Sequence, residues 1–176
     1  MFYRHLTSHI EAVLFAWGEP LPLEKLAAIL EIPPQQLKLL LGELKETMAS
    51  SERGLTIVEV AGGYQICTKP ELAEIIERLN DPHETKLSPA ALETLAIVAF
   101  KQPITRQEIE NIRGVKIDRV LNTLVERRLI KEQGRKDAVG RPILYGTTLE
   151  FLQCFGLKCL KDLPSISGIM PELQSE

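Results

Sequence analysis

Six basic side chains stand between Arg127 and Arg141 against only two acidic ones, and Gly134, Gly140 and Gly146 are threaded through and just beyond the same stretch. A flexible, cationic segment of this kind can grip DNA phosphates or an acidic protein surface. The other residues capable of chemistry are scattered. Cys67, Cys154 and Cys159 are odd in number, match neither zinc nor disulfide spacing, and read as buried free thiols. His5, His9 and His83 have no cysteine or carboxylate recurring beside them at metal-ligand spacing. The glycines follow neither a dinucleotide nor a P-loop pattern, and no nucleophile with a base is legible. The chain is therefore expected to carry no catalytic residue, no metal and no cofactor, and not to be an enzyme.

The elements that must hold the cationic stretch come next. Leu129-Ile130 and Ile143-Leu144-Tyr145 flank it as two short apolar strands, so Leu129–Thr148 reads as a β-wing appended to helices. Ahead of it, Ser88-Pro89 and Thr105-Arg106-Gln107-Glu108 are helix-start signals, Gly114 is a stop, and Ile117, Val120, Leu121, Leu124 and Val125 mark a third helix. The first half repeats the programme. Ser8-His9-Ile10-Glu11 reads as a capping box, with a helix starting near Ser8 and ending at Gly18. Pro22 opens a second helix and Pro33-Pro34 a third; the glycines of Ala61-Gly62-Gly63 are expected to supply the positive φ angles of a hairpin, and Pro70 starts a short helix with Leu72, Ile75, Ile76 and Leu79. A shift of about 83 positions lays Phe100 on Trp17, Pro103 on Pro20 and Ile109 on Leu26. The expected fold is mainly α (α+β): two tandem winged-helix domains at 1–84 and 85–163, a linker at Asn80–His83, and a loose tail at 164–176.

Charge separates the halves. Residues 1–85 hold seven basic and thirteen acidic side chains, residues 86–176 fourteen and eleven, within a net charge of −3. No apolar run approaches the roughly 20 residues that span a bilayer, and the first residues lack a signal-peptide pattern, so a soluble cytoplasmic protein is expected, without membrane contact. The outward residues of the second domain's third helix, Lys116, Asp118, Arg119, Asn122, Thr123, Glu126 and Arg127, mix both signs, which argues against specific base reading. DNA contact through the wing would be weak, non-specific and strongly salt-dependent. Leu37, Leu39, Leu40, Leu41 and Leu44 cover a broader arc than one inner face needs: either they offer a dimer interface, or the helix is buried on two sides.

Leu87–Arg106, with Ser88-Pro89-Ala90-Ala91-Leu92-Glu93-Thr94-Leu95 and Lys101-Gln102-Pro103-Ile104-Thr105, together with Gly140-Arg141-Pro142 and Leu144-Tyr145-Gly146-Thr147-Thr148, resembles the segregation and condensation protein B family. The likeness runs over nearly the whole chain, departing at Phe100, where tyrosine is frequent, and at Arg128, where glycine is. It implies a non-catalytic accessory subunit of a bacterial condensin-like complex, dimerising through its first winged helix and binding the kleisin, segregation and condensation protein A, and through it the structural maintenance of chromosomes ATPase. A winged-helix transcriptional regulator is the alternative. Arg106, Arg113, Arg135, Lys136, Arg141 and Tyr145 are candidates for holding the wing or touching a partner. Arg113 is expected as a helix C-terminal cation, and Arg141 is expected to pair with Glu108 or Glu110.

Overall fold

The computed structural model describes residues 4–79 and 86–164. Helices and two small antiparallel sheets make an α+β arrangement. They divide into two compact units, Met1–Glu84 with Leu157–Cys159, and Thr85–Gly156 with Leu160–Glu176. The expected linker at Asn80–His83 and residues 165–176 of the expected tail lie outside the described residues.

In the first unit, α1 (Arg4–Trp17), α2 (Leu23–Leu30) and α3 (Pro34–Met48) precede a hairpin of β1 (Leu55–Val60) and β2 (Gly63–Thr68). The helix start expected near Ser8 is corrected: α1 is already under way at Arg4. The Ser8 hydroxyl donates back to the His5 carbonyl at 2.8 Å, a bond made inside a helix and not by an N-cap. Gly18, at φ 74°, ends the helix as expected. The hairpin is also corrected by one residue. Ala61 (φ 49°) and Gly62 (φ 76°) take the left-handed turn positions, while Gly63 begins β2 opposite Val60. Gly63 serves a close approach: a Cβ there would sit 2.7–2.8 Å from the backbone of Pro20 and Leu21. That approach lets Leu21 and Tyr64 exchange two backbone hydrogen bonds of 2.9 Å.

The core of this unit gathers Ile10, Leu14, Leu21, Leu26, Leu37, Leu40, Leu41, Leu44, Met48 and Ile57. The leucine arc is therefore largely internal. α3 packs against α1, α2 and β1, so the side chains at 37, 40, 41 and 44 fill one inner face, and Leu39, a helical step to the side, is 71% exposed. The segment after the hairpin forms a 3₁₀ turn (Pro70–Leu72) and α4 (Ala73–Glu77), with Leu72, Ile75 and Leu79 exposed.

The second unit runs α5 (Pro89–Lys101), β3 (Ile104–Thr105), α6 (Arg106–Arg113), α7 (Asp118–Glu126), β4 (Ile130–Arg135), β5 (Ile143–Thr147) and α8 (Leu149–Cys154). The local start signals work as read. Ser88 Oγ accepts from the Ala91 N–H, and Thr105 and Glu108 form a reciprocal capping box. Gly114 closes α6 at φ 70°. Arg128, the position where the resembled family often has glycine, lies at φ 57°, a conformation that glycine adopts without strain. The segment expected as a wing lies in a three-stranded sheet in the order β3-β5-β4, with a register shift between Glu132 and Gly134 and Gly134 at φ 128°.

The short strand β3 was not expected. It pairs Ile104 with Tyr145 as the isolated bridge of the first unit pairs Leu21 with Tyr64, and the two anchor residues stand at the same offset of about 83 that aligns the prolines before them. The cysteine expectation needs correcting as well: Cys67 is only partly buried, and Cys154 and Cys159 are exposed, Cys154 because it closes the last turn of α8.

Candidate partner-binding site

The candidate residues of the second unit are positioned by α6 and the wing. Arg106 opens α6, and its Nε meets Glu110 Oε1 at 3.0 Å one turn on, while its terminal nitrogens reach the Asp118 carboxylate at the start of α7. Glu110 also accepts from Lys116 Nζ at 3.1 Å and from the Ile117 N–H at 3.3 Å. Burial on its own would raise the Glu110 carboxyl, yet hydrogen bonds from Lys116, Arg106 and Ile117 outweigh it and hold the group below its usual range. Arg106 and Tyr145 line one open cleft of about 500 Å³ with Gln107, Glu110, Lys116, Pro142 and Ile143. Burial raises the Tyr145 hydroxyl, Glu132 adds to this, and Arg106 opposes it.

Arg113 stands apart from that cleft. Only 12% of its side chain is exposed. It donates to the Ala90 carbonyl at 2.8 Å and to Thr94 Oγ1 at 2.7 Å, and meets Glu93 Oε2 at 2.8 Å. It does end α6, as expected of a C-terminal cation, but its bonds staple α6 to α5.

The pairing expected for Arg141 is corrected. Lys136 Nζ occupies Glu108 at 2.5 Å, and Glu110 is taken by Arg106 and Lys116. Arg141 sits in the wing loop at φ 41°, its N–H donating to the Ala138 carbonyl and its own carbonyl accepting from Arg135. Lys136 ties the wing to the start of α6 instead, a contact 28 residues apart in sequence that no local pattern signals. The Arg106–Glu110 pair, by contrast, was readable from its i,i+4 spacing. Gln102 is a further anchor missed by sequence reading: its side-chain oxygen accepts from the Thr147 N–H at 2.8 Å, and its Nε2 donates to Thr147 Oγ1 at 2.9 Å.

Glu108 yields a pH prediction. The Lys136 ammonium first, then the Thr105 N–H and hydroxyl, lower its carboxyl from an ordinary 4.5 to about 2. A depressed carboxyl lends stability that is complete above about pH 4.5 and is lost as pH falls through about 2. Glu108→Gln is therefore expected to flatten the acid side of a melting-midpoint profile between those values. An unchanged acid limb would show that Lys136 does not hold this group.

What the arrangement can do is present a charged surface on which Arg106, Arg113, Lys116 and Lys136 are already matched to carboxylates. Among the described residues, no three His, Cys, Asp or Glu side chains gather as a metal site, and no helix is long and apolar enough to cross a membrane.

Comparison with known proteins places the chain. The family model for segregation and condensation complex subunit ScpB matches residues 8–166. A segregation and condensation protein B of Moorella thermoacetica is 54% identical over 168 residues, covering 96% of this chain and 86% of that one. Its counterpart from Symbiobacterium thermophilum is 51% identical, covering 94% and 76%. A solved dimer of an ScpB N-terminal domain complexed with ScpA peptide is 33% identical, covers 44% of this chain and 98% of that one, and has a TM-score of 0.43.

Proposed function

Because the chain belongs to the segregation and condensation complex subunit ScpB family, we propose that it is a non-enzymatic accessory subunit of the bacterial structural maintenance of chromosomes complex. It binds the kleisin, segregation and condensation protein A, and supports chromosome condensation and segregation, reaching the nucleoid through that complex. The observation that carries this reading is the match over residues 8–166, with about half of all positions identical to named relatives. We further propose that both units are winged helices and that the first unit makes a homodimer. The repeated order of three helices and a hairpin supports the first point, as does the strand or bridge that ties each second helix to the hairpin.

Charge supports protein binding over DNA recognition. Of the cations of α6, Arg106 is matched to Glu110 and Asp118 and Arg113 to Glu93, and α7 exposes Asp118 and Glu126 beside Arg119 and Asn122. Calorimetry of the full chain against the central segment of the kleisin is expected to show association at micromolar concentration or below, while duplex DNA at about 150 mM salt shows little binding. Sequence-selective DNA binding with no kleisin association would sink the reading.

A further inference from the structure

The turn between β1 and β2 is held by residues that sequence order does not suggest. Its central residues, Ala61 and Gly62, are both left-handed, and they lie beyond Val60–Gly63, the last pair of the ladder. The ladder therefore offers their N–H groups no acceptor. Leu157 and Lys158 supply two. The Ala61 N–H donates to the Leu157 carbonyl at 2.9 Å, and the Gly62 N–H to the Lys158 carbonyl at 3.0 Å. Lys158 Nζ also meets Glu59 Oε2 at 2.7 Å, across 99 positions of sequence. The same ammonium bears on Tyr64, whose hydroxyl is raised by burial first and then by Glu59, with Lys158 opposing. Leu157–Cys159 is accordingly part of the compact first unit.

The forces that hold this segment are specific but few. Two successive carbonyls on two successive turn N–H groups fix its register, and the ion pair fixes its direction along β1. The pair is open to solvent, however, with the side chains of Lys158 and Glu59 59% and 44% exposed. Such a pair contributes little in water and is screened as salt rises. Leu157 is only half-buried, and the core of the unit is built among α1, α2, α3 and the hairpin without any residue of this segment. Its departure thus leaves the core closed. An opening of this size belongs to the low-energy end of local unfolding, well below loss of the whole domain.

We propose that Leu157–Cys159 is a releasable strap on the hairpin of the first unit, with the Lys158–Glu59 pair as the catch that ionic conditions control. Closed, it satisfies the two turn N–H groups with its own carbonyls; open, it bares Ala61 and Gly62 to solvent while the three helices stay packed. The device is a property of the chain itself and does not depend on which partner the protein serves.

The test is amide hydrogen exchange of the full chain, followed residue by residue by NMR, with Leu40, Leu41 and Leu44 of α3 reporting on the core. In low salt the Ala61 and Gly62 amides of the unaltered chain are expected to exchange about a hundredfold more slowly than unprotected amides. Raising salt from about 50 to about 500 mM, or making Lys158→Glu, speeds both by about tenfold while the α3 amides keep their rates. Combining Glu59→Lys with Lys158→Glu restores the slow exchange. Unprotected rates at Ala61 and Gly62 in the unaltered chain would show that no strap is closed. Rates indifferent to both salt and Lys158→Glu, or a double variant as fast as the single one, overturn the catch. If Lys158→Glu loosens α3 as well, the salt titration of the unaltered chain decides: acceleration shared equally with α3 means that the turn opens only with the whole unit, and the proposal fails.

Discussion

Gly63→Ala is expected to lower the melting midpoint of the first unit by roughly 12–24 °C, corresponding to a loss of about 3 kcal/mol in a domain of this size. The added methyl would stand 2.7–2.8 Å from the backbone of Pro20 and Leu21. Backbone on both sides cannot step aside as a side chain can, so the hairpin must move away and the two hydrogen bonds joining Leu21 to Tyr64 are broken. Those bonds hold the approach to α2 against β2. Gly146→Ala is the internal control: its new methyl would collide with the Gln133 side chain, which is exposed. A long exposed side chain can swing out, and the cost there stays under about 1 kcal/mol. Equal loss in the two variants, measured by thermal denaturation, would refute the assignment of Gly63 to a close backbone approach.

The contrast between these glycines shows where sequence reading ends. Gly18 and Gly114 were legible as helix stops, and Ser88 and Thr105–Glu108 as starts, because each acts within one helical turn. Gly62-Gly63 was legible as a turn, but the division of labour was not. The turn falls on Ala61 and Gly62 because Gly63 must face Leu21, and that requirement comes from a segment more than forty positions earlier. Ser8 misled for the converse reason: Ser-x-x-Glu also occurs inside a helix, where the hydroxyl turns back to a carbonyl. The same boundary divides the candidate site. Arg106 with Glu110 has an i,i+4 spacing that signals the pair although Glu110 was assigned to Arg141, whereas Lys136 with Glu108 and Arg113 with Thr94 join elements that only the folded chain brings together. The wing's cationic residues were visible, but which carboxylates they would find was not.

Leu37→Ala carries the second large effect, a loss of about 2–5 kcal/mol from the cavity it opens among α1, α2 and α3. The arc that contains Leu37 had two readings, partner surface or inner packing, and burial of Leu37, Leu40, Leu41 and Leu44 places those four in the core. The variant is therefore expected to melt at a lower temperature while remaining, below its midpoint, in the association state of the unaltered chain. Leu39→Asp should behave in the opposite way. Its side chain is exposed, so stability is nearly unchanged, and any effect falls on association if the proposed dimer uses that side of α3. Light scattering beside thermal denaturation separates the two. Dissociation by Leu37→Ala with an unaltered midpoint would contradict the placement of α3.

The clasp between Gln102 and Thr147 has a bearing on how the protein is made. Its partners are 45 residues apart, and β3, which begins two residues after Gln102, pairs with β5, the strand that ends at Thr147. Chain emerging from the ribosome thus presents α5, α6 and α7 before the strand that closes them exists. The first unit's hairpin ends at Thr68, so its helices and sheet are available to one another early, and domains commonly fold in the order in which they emerge. The second unit must wait for nearly its whole length. Until Thr147 is free, the faces of α5 and α6 that β5 covers are left open to chaperones or to neighbouring nascent chains.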